Sequence, residues 1–160
     1  MAFPRRLEFP FENSHFVGGA VLDLAEILNE DRNDAFLLLR FKPGAVDLPM
    51  HEHLDSCRCI IAIGGRGFFH VTDQQLHNFD GNAVRTYPVR QRDVLTFRRG
   101  TIHTFSTTVH HLDLLSYHQP YIPLDAPEQY TIPKHVCCPG LERRKMDATI
   151  TCDPAWSLLQ

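Results

Sequence analysis

Apolar and polar positions along this chain fall into short runs separated by turn residues. Residues 1–20 carry proline and aromatic punctuation with no period. In 21–29, Val21, Leu24, Ala25 and Leu28 sit at i, i+3, i+4 and i+7, which predicts one short amphipathic helix. From Ala35 the texture changes. Residues 35–41 form an apolar run ended by Lys42-Pro43-Gly44, which predicts a strand and a turn. Strand-like runs then alternate with turn signals: 59–63, 67–72, 84–89, 93–97, 102–108 and 112–117. Gly64-Gly65, the loop 78–82 and Arg99-Gly100 separate them. Short strands at this rhythm, with almost no helix between them, predict an all-β antiparallel sandwich or barrel. The tail from Gln119 is rich in proline and then in charge. The chain thus divides into an N-terminal extension (1–34), a barrel (35–120) and a C-terminal strap or tail (121–160). The last is expected to pack on the barrel or on a partner subunit.

At 160 residues the chain can build a real core without disulfides. Lys and Arg total 16 against 19 Asp and Glu, a net charge of −3. That gives no reason to expect nucleic acid or an anionic membrane as partner. Arg90, Arg92, Arg98 and Arg99 cluster locally and read as a solvated turn. No apolar run approaches the roughly 18 residues that span a bilayer. The first residues lack the apolar segment of an export signal. Five cysteines at no scaffold spacing then suggest reduced thiols and a cytoplasmic location.

The candidate chemistry lies in Pro49-Met50-His51-Glu52-His53 and in Gly100-Thr101-Ile102-His103. Histidines at i and i+2 of an extended segment share a face, so two imidazoles can meet one ion. His103, from another strand, is the candidate for the third, which would leave open coordination positions. The bland reading is three ordinary strand histidines. Glu52 alternates to the opposite face.

These motifs resemble those of the cupin superfamily, small double-stranded β-helix (jelly-roll) barrels. Gly44, His51, His53, Cys57 and Gly64 fall along its first motif; Arg92, Arg98, Gly100, His103 and Thr107 fall at the spacings of its second, where Gly100 and His103 match its residues and the Gly, Pro and Asn positions do not. The resemblance covers roughly residues 35–120. It implies a cupin-like barrel, here with a short N-terminal helix and a C-terminal strap, and one divalent metal per chain on His51, His53 and His103. Many cupins add a glutamate. Here a three-residue spacing puts Cys57 at that position and a four-residue spacing puts Arg58 there, and neither is a carboxylate. A three-histidine site is similar to that of the thiol dioxygenases, which hold Fe(II). The resemblance therefore implies Fe(II) first, with Zn, Ni, Mn or Cu compatible.

Around the metal, Cys57 has three readings: a packed small residue, a modified or gating residue beside the ion, or a fourth ligand. Tyr117 and His118 end the last strand, and by alternation one of them faces inward, where it could hold a substrate oxygen. Phe68, Phe97 and Phe105 read as core, and Phe105 shares the parity of His103. Arg40 reads either as an outer-face residue or as one reaching into the barrel. His110-His111 reads as exposed, and Cys137-Cys138 as incidental. Three neutral imidazoles leave the ion's full charge in the site, which favours a small anionic substrate. The leading expectation is a non-haem Fe(II) dioxygenase using O2, with a thiol among the candidate substrates. The alternatives are a non-catalytic cupin that senses or stores a small molecule or metal, and a metal-dependent isomerase or lyase. A homodimer is expected by analogy.

Overall fold

The computed structural model describes residues 14–17, 20–29, 33–123 and 126–141. Its strands are β1 (Ser14–Val17), β2 (Ala20–Asn29), β3 (Asp34–Phe41), β4 (Cys57–Val71), β5 (Arg85–Arg90), β6 (Val94–Phe97), β7 (His103–Ser106) and β8 (Leu112–Gln119). Every pairing between them is antiparallel. The path runs β1-β2-β3-β8-β4-β5, with β6 and β7 also paired to β4.

β4 organises the barrel. It is 15 residues long and serves both sheets. Its first half pairs with β8 and β6, and its second half, from Arg66, pairs with β5 and β7. The change of sheet happens at a register break between Ala62 and Gly64. Gly65 sits there at φ +69°, where a Cβ would lie 2.0 Å from the His111 carbonyl oxygen. The glycines that read as a strand end are therefore the corner of one continuous strand, bent where a bulge and a bare backbone permit it.

The segment expected to be a helix is strand β2. It pairs with β3 without interruption from Leu22 opposite Phe41 to Asn29 opposite Asp34. A helix this short is marginal in water, where about 12–15 residues are needed for even modest stability. A full ladder on an existing edge outweighs it.

Inward residues of both sheets make the core: Phe41, Leu48, Ile60, Ala62, Phe69, Val89, Phe105, Leu112 and Leu114. Each large side chain so buried contributes roughly 1.5–3 kcal/mol. A second cluster of Met50, Phe79, Ile102 and Cys137 underlies the loop that carries the His-x-His segment. Cys137 is thus a core residue. Residues after β8 return across the barrel. Tyr121 N–H donates to the Asn33 carbonyl, Thr131 forms a bridge with Glu52, and Met50 N–H donates to the Cys137 carbonyl. Among the described residues no helix is long and apolar enough to cross a membrane.

Candidate metal centre

His51 and His53 lie in the extended segment before β4, and His103 opens β7. A backbone bridge joins them: His51 N–H donates to the His103 carbonyl at 3.0 Å and His103 N–H returns at 2.8 Å. The pairing is reached because Gly100 turns the chain at φ +72° and donates its N–H to the His53 carbonyl. The sequence spacing and the register thus bring the three rings together. Each offers one ring nitrogen, and those atoms all lie within 4.8 Å of one another. Among the described residues no carboxylate or thiol belongs to the group.

The three Nδ1 atoms are already committed. His51 Nδ1 bonds the Pro49 carbonyl at 3.0 Å, His103 Nδ1 bonds the Thr101 carbonyl at 2.8 Å, and His53 Nδ1 bonds the Gln129 carbonyl. A carbonyl oxygen only accepts, so each Nδ1 carries the proton. Each Nε2 then keeps a free lone pair, the form of imidazole that binds metal. Burial depresses the basicity of all three. His51 is lowered to about 4, and His53 and His103 fall well below the ordinary value, with the neighbouring rings and Arg58 adding to the effect. The rings are therefore neutral at physiological pH and suited to a divalent ion. They do not need to lose a proton to bind it.

A buried cation lies beside the cluster, against Nδ1 of His53. Arg58 is 4 % exposed. Its Nη1 donates to Ser56 Oγ at 2.6 Å and its Nη2 to Gln129 Oε1 at 3.0 Å. Ser56 in turn donates to the Pro120 carbonyl. Nη2 also lies 3.0 Å from His53 Nδ1, but that nitrogen already donates to Gln129, so the contact is one of proximity. Burial pulls Arg58 down to about 9, which still leaves it charged at neutral pH. Its Nε is buried with no hydrogen-bond partner among the described residues. His118 is the cross-strand partner of Arg58 on β8. Its Nε2 meets Ser116 Oγ at 2.9 Å, its Nδ1 is buried without a partner, and burial and Arg58 lower it to about 2.

Several expected roles change. Cys57 is exposed, because alternation along β4 turns it outward and turns Arg58 in. It is therefore not packed in the core, and among the described residues it does not belong to the group that could hold a metal. Tyr117 lies on the face of β8 opposite His118, and its hydroxyl donates to Asp34 at 2.7 Å. Arg40 makes a two-point ion pair with Asp113 at 2.7 Å and does not enter the barrel. Phe97 stands 4.1 Å from the His103 ring, with Phe69 at 6.2 Å and Phe105 at 6.4 Å, so aromatic rings wall the cluster on that side. Tyr130 stands edge-on to His51 at 6.0 Å. Gln129 and Tyr130 had no signal in the sequence. Arg58 had one, the alternative four-residue spacing after His53. Glu52 is buried and outside the cluster. Its Oε1 lacks a partner, and burial raises its pKa.

No family profile and no curated protein matches the sequence. Solved structures do match in three dimensions. A cupin 2 conserved barrel domain protein from Salinispora arenicola aligns with a TM-score of 0.54 and 16% identity, over 74% of this chain and 89% of that one. The polyketide cyclase RemF from Streptomyces resistomycificus aligns with a TM-score of 0.56 and 16% identity, over 79% and 89%. A cupin-like protein from Thermotoga maritima aligns with a TM-score of 0.54 and 14% identity, over 73% and 82%. The fold is the cupin barrel.

Proposed function

From a cupin barrel with three imidazoles in one cluster, we propose a mononuclear metal enzyme that oxidises a small anionic molecule with O2. His51, His53 and His103 hold the divalent ion, with Fe(II) the favoured metal. The observation that carries the reading is the set of three Nδ1–H bonds to peptide carbonyls, which leaves three neutral nitrogens for one ion. Bound iron would supply a one-electron couple and open positions for substrate and O2. The chain's own residues do the rest. Arg58 supplies a fixed positive charge for the substrate's anionic group. Phe69, Phe97 and Phe105 keep water from the His103 side. His118, held neutral, offers an uncommitted ring nitrogen on the same face as Arg58. Tyr117 is bonded to Asp34 on the opposite face of β8 and takes no part in this reading.

The test is oxygen uptake by Fe(II)-loaded protein with a panel of thiols, diketones and catecholic acids. Uptake with at least one class, lost in His103→Ala, is the expected result. Tight binding of a panel member without uptake or turnover would replace the oxygenase reading with a sensor or storage role. Turnover independent of O2 would replace it with a Lewis-acid isomerase or lyase.

A further inference from the structure

A buried guanidinium normally has a carboxylate beside it, because an uncompensated charge in the interior is costly. Arg58 has none among the described residues. Its two hydrogen bonds go to a neutral hydroxyl and a neutral amide, and its Nε has no acceptor among the described residues. Beside it, His118 buries a second unpartnered nitrogen. Both side chains are at least nine-tenths buried. The same guanidinium touches His53 and acts electrostatically on all three clustered histidines. A divalent ion on those histidines would face a neighbouring positive charge with nothing to offset either.

We propose that Arg58 makes this an anion-coupled metal site, in which the divalent ion and a small carboxylate bind together and each raises the affinity for the other. The inference deepens the metal-enzyme reading and rests on it. A carboxylate matches the edge geometry of a guanidinium, and Nε–H is the Arg58 donor without an acceptor among the described residues. It supplies the acceptor that Arg58 Nε lacks among the described residues and offsets the guanidinium charge that the ion would otherwise face. His118 Nδ1 donates to the same carboxylate, with Ser116 Oγ–H donating to its Nε2. The coupling is reciprocal, so a metal-free protein binds the carboxylate weakly and a carboxylate-free protein binds the metal weakly. The aromatic wall limits the ligand to a small one.

The measurement is calorimetric titration of Co(II) into metal-free protein with and without acetate, with ionic strength held by sodium perchlorate. Acetate should tighten Co(II) binding to the wild type by about tenfold or more, within the usual span of coupling energies. It should also change the visible spectrum of the bound Co(II). Arg58→Gln should bind Co(II) more tightly than wild type in the absence of acetate and lose most of the acetate response. Arg58→Glu, which places a carboxylate beside the histidines, should bind tightest and ignore acetate. A wild-type response below about twofold overturns the coupling, as does an Arg58→Gln response equal to wild type. Should neither variant fold, the wild-type pair of titrations still decides. Wild type that takes up no Co(II) under either condition overturns the metal reading too, whereas uptake indifferent to acetate overturns the coupling alone.

Discussion

The tautomer of each clustered histidine is set by a peptide carbonyl, and this makes the site more than three rings in proximity. The His-x-His spacing was legible because strand alternation has a period of two, which composition does not blur. Arg58 was harder to read. A one-residue ambiguity in the turn after His53 decided whether Cys57 or Arg58 faced inward, and no local pattern resolves such a slip. The buried neutral histidines also set the pH behaviour. In the unfolded chain His51 and His118 take up protons near 6.5, whereas folded His51 does so only at about 4 and His118 at about 2. The unfolded state therefore binds more protons in that window. Stability is full above about pH 6.5 and falls as pH drops toward 4, by about 1.4 kcal/mol per pH unit per group. Thermal melts of metal-free protein should show a falling midpoint below pH 6.5, with a shallower fall in His118→Phe. A midpoint unchanged down to pH 4.5 in the wild type would contradict the neutral buried state.

Among the elements, β4 does most to place the centre. Its bend at 64–67 lets one strand pair with β8 in one sheet and with β7 in the other, and β7 begins at His103. The double glycine marked a break correctly but not its kind, since a turn and a barrel corner share residue types. Gly65→Ala tests that geometry. At φ +69°, with the His111 carbonyl 2.0 Å from the new Cβ, it should cost about 2 kcal/mol or more in chemical denaturation. A change below about 0.5 kcal/mol would show that the corner does not need glycine. β2 carries the opposite lesson. Its helical period was real, but a neighbouring strand edge decided the outcome. The returning chain at Gln129 and Tyr130 contributes to the site through a backbone carbonyl, the Gln129 side-chain oxygen that accepts from Arg58, and a ring edge. A carbonyl is common to every residue type, so this contribution had no sequence signature.

Across the whole molecule, the barrel was legible from rhythm alone: short strands, turn glycines and little helix. Chemistry was legible only where it depends on spacing. The buried guanidinium, the carbonyl anchors and the aromatic wall come from segments far apart in the sequence and appear once the sheets close. They give a molecule of net charge −3 a buried locus that, with a divalent ion bound, would be strongly positive. The central claim is that this locus holds metal. It is tested most directly by elemental analysis of protein purified without chelator or affinity nickel, with folded His103→Ala as control. The account predicts about one divalent ion per wild-type chain and its loss in the variant. Wild type free of metal even after reloading with Fe(II), Co(II) or Zn(II), or a variant that keeps its full complement, would contradict it.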